Sequence, residues 1–108
     1  MPQNWISSQT ANVTTLTTVY SPTASGVQAT MIGCLISNTT SAPVTFTVTL
    51  TNATNTVTTS LITNTTVPAG NSLNILDGGS RVNVPQNYSV KVNATGSVDV
   101  TISAVENT

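Results

Sequence analysis

The sequence has almost no charge, no histidine and one cysteine among its 108 residues. Charged residues make up 5% of the chain, whereas an ordinary globular domain has about 25%. Two basic residues give no stripe for phosphates and no polybasic patch for anionic lipid, so we expect neither a nucleic-acid nor a membrane partner. A net charge of −1 also protects a folded domain poorly against association. We therefore expect this protein to work within an assembly, as a homo-oligomer with a trimer favoured.

The residues that carry most enzyme chemistry are also scarce. Without histidine the usual general base is missing, and the alternation of "YSVKVN" places Lys91 on the polar face of a strand. Cys34 lies in the apolar run "MIGCLI", has no second cysteine to pair with, and is expected in the core. Asp77 and Asp99 are the only aspartates, and "DGG" at 77–79 indicates a tight turn. We predict no catalytic site, no metal site and no cofactor.

Targeting signals are missing as well. The first residues, "MPQNWISSQTANV", lack the basic start and apolar run of a signal peptide, and no apolar stretch of about 18 residues predicts a membrane helix. Synthesis and folding in the cytoplasm are therefore expected. A composition rich in Ser and Thr accounts for the Asn-x-Ser/Thr sequons, which we do not interpret as glycosylation sites. They lie at Asn12, Asn38, Asn52, Asn64, Asn87 and Asn93.

Alternation of apolar residues with threonine is the strongest pattern present. In "VTFTVTLT", residues 44–51, a period of two predicts a half-buried strand with Val44, Phe46, Val48 and Leu50 inward. The opposite face, which we call the threonine face, consists of Thr45, Thr47, Thr49 and Thr51. Such a face is suited to an interface, because its burial does not desolvate a charge. Ordinary solvent exposure is the alternative, and an ice-binding plane would need equivalent repeats that the chain lacks.

Turn signals at intervals of roughly 8 to 12 residues separate the apolar segments and predict an all-β protein. We expect a single β-sandwich, jelly-roll or Ig-like, with about seven or eight short antiparallel strands over residues 12–108. Residues 1–11 show no period and are predicted to form an N-terminal arm. Trp5, within this arm, either folds back onto the domain or anchors a neighbouring subunit. Apolar residues on both faces of 31–36 predict a strand that is covered on both sides or crosses from core to interface.

Two stretches resemble a known group of proteins. They are "ATMIGCLISNTTSAPVTFTVTL" and "VPAGNSLNILDGGSRVNVPQNYSVKVNATGSVDVTISAVE". Over residues 27–106 this pattern of turns and apolar positions resembles small, uncharged, Thr/Val-rich all-β structural proteins of tailed bacteriophages, including marine and cyanobacterial ones. The resemblance transfers no functional residues.

The resemblance implies a virion component without enzymatic activity, made in the host cytoplasm. A capsid decoration (cement) protein that binds the outer capsid lattice is the favoured reading, with the major capsid protein or other virion proteins as partners. A neck, tail or fibre component is the alternative within the particle. A free binding module, such as an adhesin or an ice-binding domain, is the alternative of another class.

Overall fold

The computed structural model describes residues 3–22, 27–52, 57–76 and 81–107. In these ranges the chain is all-β, as predicted, and no helix able to span a membrane occurs in them. The strands are β1 Gln3–Val13, β2 Thr17–Tyr20, β3 Gln28–Asn38, β4 Val44–Asn52, β5 Val57–Val67, β6 Ser72–Asn74, β7 Val82–Pro85, β8 Tyr88–Ala94 and β9 Val98–Asn107.

The strands form two antiparallel sheets that pack face to face as a sandwich. The five-stranded sheet, sheet A, has the order β1-β9-β3-β6, and β7 also pairs with β3. The four-stranded sheet, sheet B, has the order β2-β8-β4-β5. The pairs are therefore nested, since β1 pairs with β9, β2 with β8, β3 with β6 and β7, and β4 with β5. Nested pairs divided between two sheets give the jelly-roll topology; in an Ig-like sandwich β1 and β2 would share a sheet.

Nine strands occur where seven or eight were predicted, because one edge position is divided in two. Strand β6 pairs with residues 35–37 of β3, and β7 pairs with residues 28–31 of the same strand. The predicted "DGG" turn at 77–79 falls between them and lies outside the described residues. The sandwich thus has eight strand positions, as a jelly roll requires.

The core lies between the two sheets and is mainly aliphatic. Val44, Phe46 and Val48 of β4 are buried and Leu50 is half-buried, which confirms the predicted inner face of this strand. The largest fully buried side chains are Phe46, Met31, Ile36, Ile102, Val13, Val48, Val67, Val84, Val90, Val92, Val98 and Val100. One phenylalanine among so many valines suits strands, because β-branched side chains pack well on a pleated surface.

A β-bulge explains the apolar residues on both faces of β3. The pairing of β3 with β9 shifts between Met31 and Gly33, so Ile32 is an extra residue. Before the bulge Ala29 and Met31 point into the core, and after it the inward residues have the opposite parity, beginning with Cys34. The strand is therefore central in sheet A, and among the described residues no second layer covers its outer face. Of the two alternatives, covering on both sides does not match these residues, and a crossing from core to interface stays a prediction.

The N-terminal segment is an edge strand. Residues 3–10 of β1 pair in regular register with β9, and Gln3 lies opposite Asn107. Its inner face contributes little to the core, because Ile6 is only partly buried and Ser8 and Thr10 follow it inward. Few apolar residues explain why no period was visible in the sequence. Whether this strand can separate from the sandwich as an arm stays a prediction.

A buried asparagine fixes the connection from β3 to β4. Asn38 is 3% exposed. Its side-chain amide donates to the carbonyls of Ala42 and Val67, at 2.8 and 3.0 Å. Its oxygen accepts hydrogen bonds from the N–H and hydroxyl of Thr40, at 2.9 and 2.7 Å. All four bonds connect one side chain to a turn and to the end of β5, which holds the turn against the sandwich.

A tyrosine joins the two sheets. The hydroxyl of Tyr20, on β2 of sheet B, donates to the Glu106 carboxylate on β9 of sheet A at 2.5 Å. Burial is the main cause that raises the pKa of Tyr20 well above its usual range, followed by the hydrogen bond to Glu106 and the charge of that carboxylate. The neutral phenol is thus the form that the folded state favours.

Candidate interaction surfaces

The threonine face lies on the outer side of sheet B. Strand β4 sits between β8 and β5, and because Val44, Phe46 and Val48 point inward, the threonines between them point away from the core. All four threonines are half-buried, since each packs against side chains of the neighbouring strands. The structure therefore confirms that the four threonines lie on one face of β4. Their role as an interface stays a prediction.

Hydrogen bonds within the sheet already use most of these hydroxyls. Thr45 lies 3.3 Å from Thr66, and Thr51 lies 3.2 Å from Thr58, each measured between hydroxyl oxygens. The N–H of Asn64 donates to the Thr47 hydroxyl at 3.1 Å.

Thr49 stands opposite Ser60 on one side and Lys91 on the other. Lys91 is the single charged residue of β8, so Thr49 has one charged neighbour, whereas Thr51 lies between the uncharged Thr58 and Ser89. A partner could cover this face at a low desolvation cost.

Trp5 lies on the opposite side of the sandwich. It is 74% exposed, and its neighbour Ile6 faces the core, so the indole stands on the outer face of sheet A. The reading in which this side chain folds back onto the domain does not match that exposure. The structure therefore does not bring Trp5 and the threonine face into one surface, and each would need its own contact.

The outer face of sheet A carries small residues around its centre. Ser7 pairs with Ser103, which pairs in turn with Gly33. A Cβ added to Gly33 would meet the Cβ of Ser103 at 3.5 Å, an ordinary contact. Leu35 on the same face is 39% exposed. Sequence reasoning missed this second surface, because the bulge in β3 and the polar character of β1 hide the alternation that would reveal it.

Two open depressions lie on the described surface. One, on sheet A beside β1, is lined by Gln9, Thr10, Ala11, Asp99, Val100 and Thr101. The other, at the end of the β4–β5 hairpin, is lined by Leu50, Asn52, Val57, Thr59 and Tyr88. In the second, the amide of Asn52 donates to the Tyr88 hydroxyl at 2.9 Å. The first lining contains the hydroxyls of Thr10 and Thr101 and one carboxylate, and the second contains one amide and two hydroxyls.

The remaining candidates for chemistry have structural roles. Cys34 is fully buried, as predicted, and burial raises the pKa of its thiol to about 12, so it is a poor nucleophile. The Asp99 carboxylate accepts a hydrogen bond from the N–H of Asn12 at 3.0 Å, next to the bulge that ends the regular part of β1. Asp77 lies outside the described residues. In the described part of the chain, no three His, Cys, Asp or Glu residues cluster as metal ligands would.

Several sequon asparagines are explained by backbone conformation. Asn12, Asn64 and Asn87 have positive φ angles of 58°, 48° and 69°, a region that asparagine tolerates better than most residues. Asn12 and Asn64 lie where the register of β1 and β5 shifts. Asn38 is buried with both ends of its amide bonded. These asparagines serve turns and bulges, and the interpretation that the sequons are not glycosylation sites stays a prediction.

Neither the models of known protein families nor the curated proteins match this sequence. Solved structures from two assemblies share its fold. One comes from work showing that Bacillus endospore appendages form disulfide-linked pili: it is 16% identical, covers 97% of this chain and 84% of that chain, and has a TM-score of 0.54. The other comes from the T13 IBDV viral particle: it is 12% identical, covers 96% of this chain and 35% of that chain, and has a TM-score of 0.51. At these identities the likeness shows the fold and does not transfer a function.

Proposed function

We propose that this chain is a non-enzymatic structural subunit that decorates a viral capsid and stabilises its outer lattice. One observation carries the proposal: both outer faces of a jelly-roll sandwich are nearly free of charge, which suits a subunit that buries much of its surface. The structural neighbours, from pili and from a viral particle, support an assembly role of this general kind. The resemblance of residues 27–106 to phage structural proteins favours a bacteriophage particle.

In this role the threonine face contacts the capsid lattice. Thr51 is the residue best placed to test the contact, because its cross-strand neighbours Thr58 and Ser89 are both uncharged. Its burial against a partner requires the desolvation of a hydroxyl and a methyl group and not of a charge. Major capsid protein is the partner that this reading requires, and neck, tail or fibre proteins are the partners if the chain belongs elsewhere in the particle.

A disulfide-linked filament is disfavoured by the same structure. Cys34 is the only cysteine of the chain and is fully buried, so it cannot reach a neighbouring subunit without local unfolding. A free binding module is the remaining class, and it predicts a stable monomer that binds its ligand alone.

Copy number in purified particles tests the proposal directly. Hundreds of copies per particle support decoration, whereas a dozen or fewer contradict it in favour of a neck or tail position. The surface test compares Thr51→Lys with Thr14→Lys, in which an exposed residue of the β1–β2 connection receives the same charge. Loss of particle binding in the first variant alone, with unchanged far-UV circular dichroism in both, supports the threonine face as the contact. Equal binding by both variants contradicts it.

A further inference from the structure

A sandwich of two sheets has four edges, and three of these edges are poorly suited to pairing with a strand of another chain. Sheet B ends in β2, which has four residues, and in β5. The pairing of β4 with β5 shifts register at two places, so extra residues interrupt the β5 ladder. One edge of sheet A is divided between β6 and β7. Short, interrupted or bulged edges discourage pairing with another chain.

The fourth edge, β1, is long, and its register shifts only near its end, between Thr10 and Val13. Residues 3–10 run in regular register along β9, and the whole strand carries no charged residue. Within the described residues no strand pairs with its outer side. A long, regular and uncharged edge offers its backbone N–H and C=O groups as a template for another strand. The same edge on a second copy of the chain is equally regular and uncharged, so no like charges oppose each other when two such edges meet.

Side chains on β1 also match across a two-fold axis. Antiparallel pairing about an axis perpendicular to the sheet places residues of the same face opposite each other. With the axis at Ser7, the exposed Trp5 stands opposite the partner's Gln9, at a Cα separation of about 5 Å. Gln9 borders the depression on sheet A that Ala11, Asp99 and Thr101 help to line.

Each copy therefore presents a projecting indole and, four residues along the same strand, a depression that can receive one. The Asp99 carboxylate within this depression is an acceptor for an indole N–H. Because the same strand carries both features, one contact satisfies both copies, as a two-fold interface requires.

We propose that two copies join edge to edge through antiparallel pairing of β1 about Ser7, with each Trp5 seated in the partner's depression. Two five-stranded sheets then form one continuous ten-stranded sheet. This inference deepens the proposed function by naming the contact between subunits, and it places a dimer before the trimer expected from the sequence. It also gives Trp5 the anchoring role that aromatic residues often have at interfaces.

Cysteine trapping in the full chain tests the register. After mild oxidation, Ser7→Cys is expected to give a covalent dimer, because the two sulfur atoms lie across one strand pair. Ser103→Cys is the matched control: it is on the same face and pairs with Ser7, but its symmetry mate is three strand spacings, about 14 Å, away. Cys34 is buried in both variants. Equal trapping of the two variants, or none in either, overturns the proposal.

Light scattering and sedimentation of the unmodified chain test the contact itself. We expect a dimer at micromolar concentration, and Trp5→Ala is expected to raise its dissociation constant by about tenfold for each of the two indoles lost. Ser7→Lys places two like charges opposite each other and should abolish the dimer, whereas Ser103→Lys should retain it. A trimer, an open-ended polymer or a stable monomer would each overturn the two-fold contact. A monomer that still decorates particles would overturn this contact alone and leave the proposed function in place.

Discussion

The network around Asn38 gives the most direct test of how this fold is held together. Asn38→Ala removes four side-chain hydrogen bonds at a site that is 3% exposed. A net contribution of about 1 kcal/mol per bond is typical, and a buried acceptor left without a partner costs about 1–3 kcal/mol. Ala42 and Thr40 can recover water, since both reach the surface, whereas the Val67 carbonyl is buried. We therefore expect the free energy of unfolding to fall by about 2–4 kcal/mol.

Urea denaturation followed by far-UV circular dichroism measures this loss. The slope m should stay constant, because the surface exposed on unfolding hardly changes. Asn93→Ala is the matched control, since Asn93 is exposed on a strand, and its effect should stay within about 0.5 kcal/mol. Equal effects of the two substitutions would refute the reasoning.

Asn38→Asp provides a second measurement of the same network. It keeps the acceptor for Thr40 but turns an anionic oxygen toward two carbonyls. Burial and these carbonyls favour the protonated acid, so the carboxyl pKa in the folded state should lie above its unfolded value. The variant should then be more stable at about pH 4 than at about pH 7, with the loss beginning at the unfolded pKa of about 4 and ending at the higher folded pKa. Stability that rises with pH over this range would contradict the orientation assigned to the amide.

Three further outcomes are expected. At Asn64, where φ is 48°, Asn64→Ala should lower the free energy of unfolding by about 1 kcal/mol and Asn64→Gly should lower it less; equal losses in denaturant titrations would argue against backbone strain. Cys34 should not react with a thiol reagent at about pH 8 until denaturant is added, and rapid labelling of the native protein would disprove its burial. Because the folded pKa of Tyr20 is raised, its contribution to stability is complete below about pH 10 and falls as the pH rises further. Tyr20→Phe should flatten this alkaline loss, and an unchanged slope would rule out a raised pKa of Tyr20 as its cause.

The sequence of short segments correctly predicted those features of the fold that depend only on neighbouring residues. The alternation in β4 predicted its inner and outer faces, and the apolar surroundings of Cys34 predicted its burial, because each depends on neighbours within a few residues. The bulge at Ile32 was not predictable in this way, since one inserted residue reverses the faces without changing composition. Strand β1 was missed for a different reason: its stability comes from backbone pairing with β9, which leaves no period in its own side chains.

For the candidate surfaces too, features within one strand were predictable and features that depend on long-range pairing were not. The threonine face was visible because one strand contains all of it. The position of Trp5 relative to that face depends on which sheet contains β1. Pairing between strands that are far apart in the sequence cannot be predicted from the residues of one segment. The asparagines with positive φ were recognised only as sequons, although asparagine inside a threonine-rich strand is itself a signal for a bulge.

The nested pairing of the jelly roll has a consequence for how the chain reaches its native state during translation. Strand β9 lies in sheet A between β1 and β3, and it follows the other described strands in the chain. Sheet A therefore cannot close while the ribosome is still making residues 98–107. Contacts of such high sequence separation are slow to form. Until β9 has been made, β1 and β3 both expose unpaired edges, so the nascent chain is the stage at which this protein is most exposed to mispairing with its own copies.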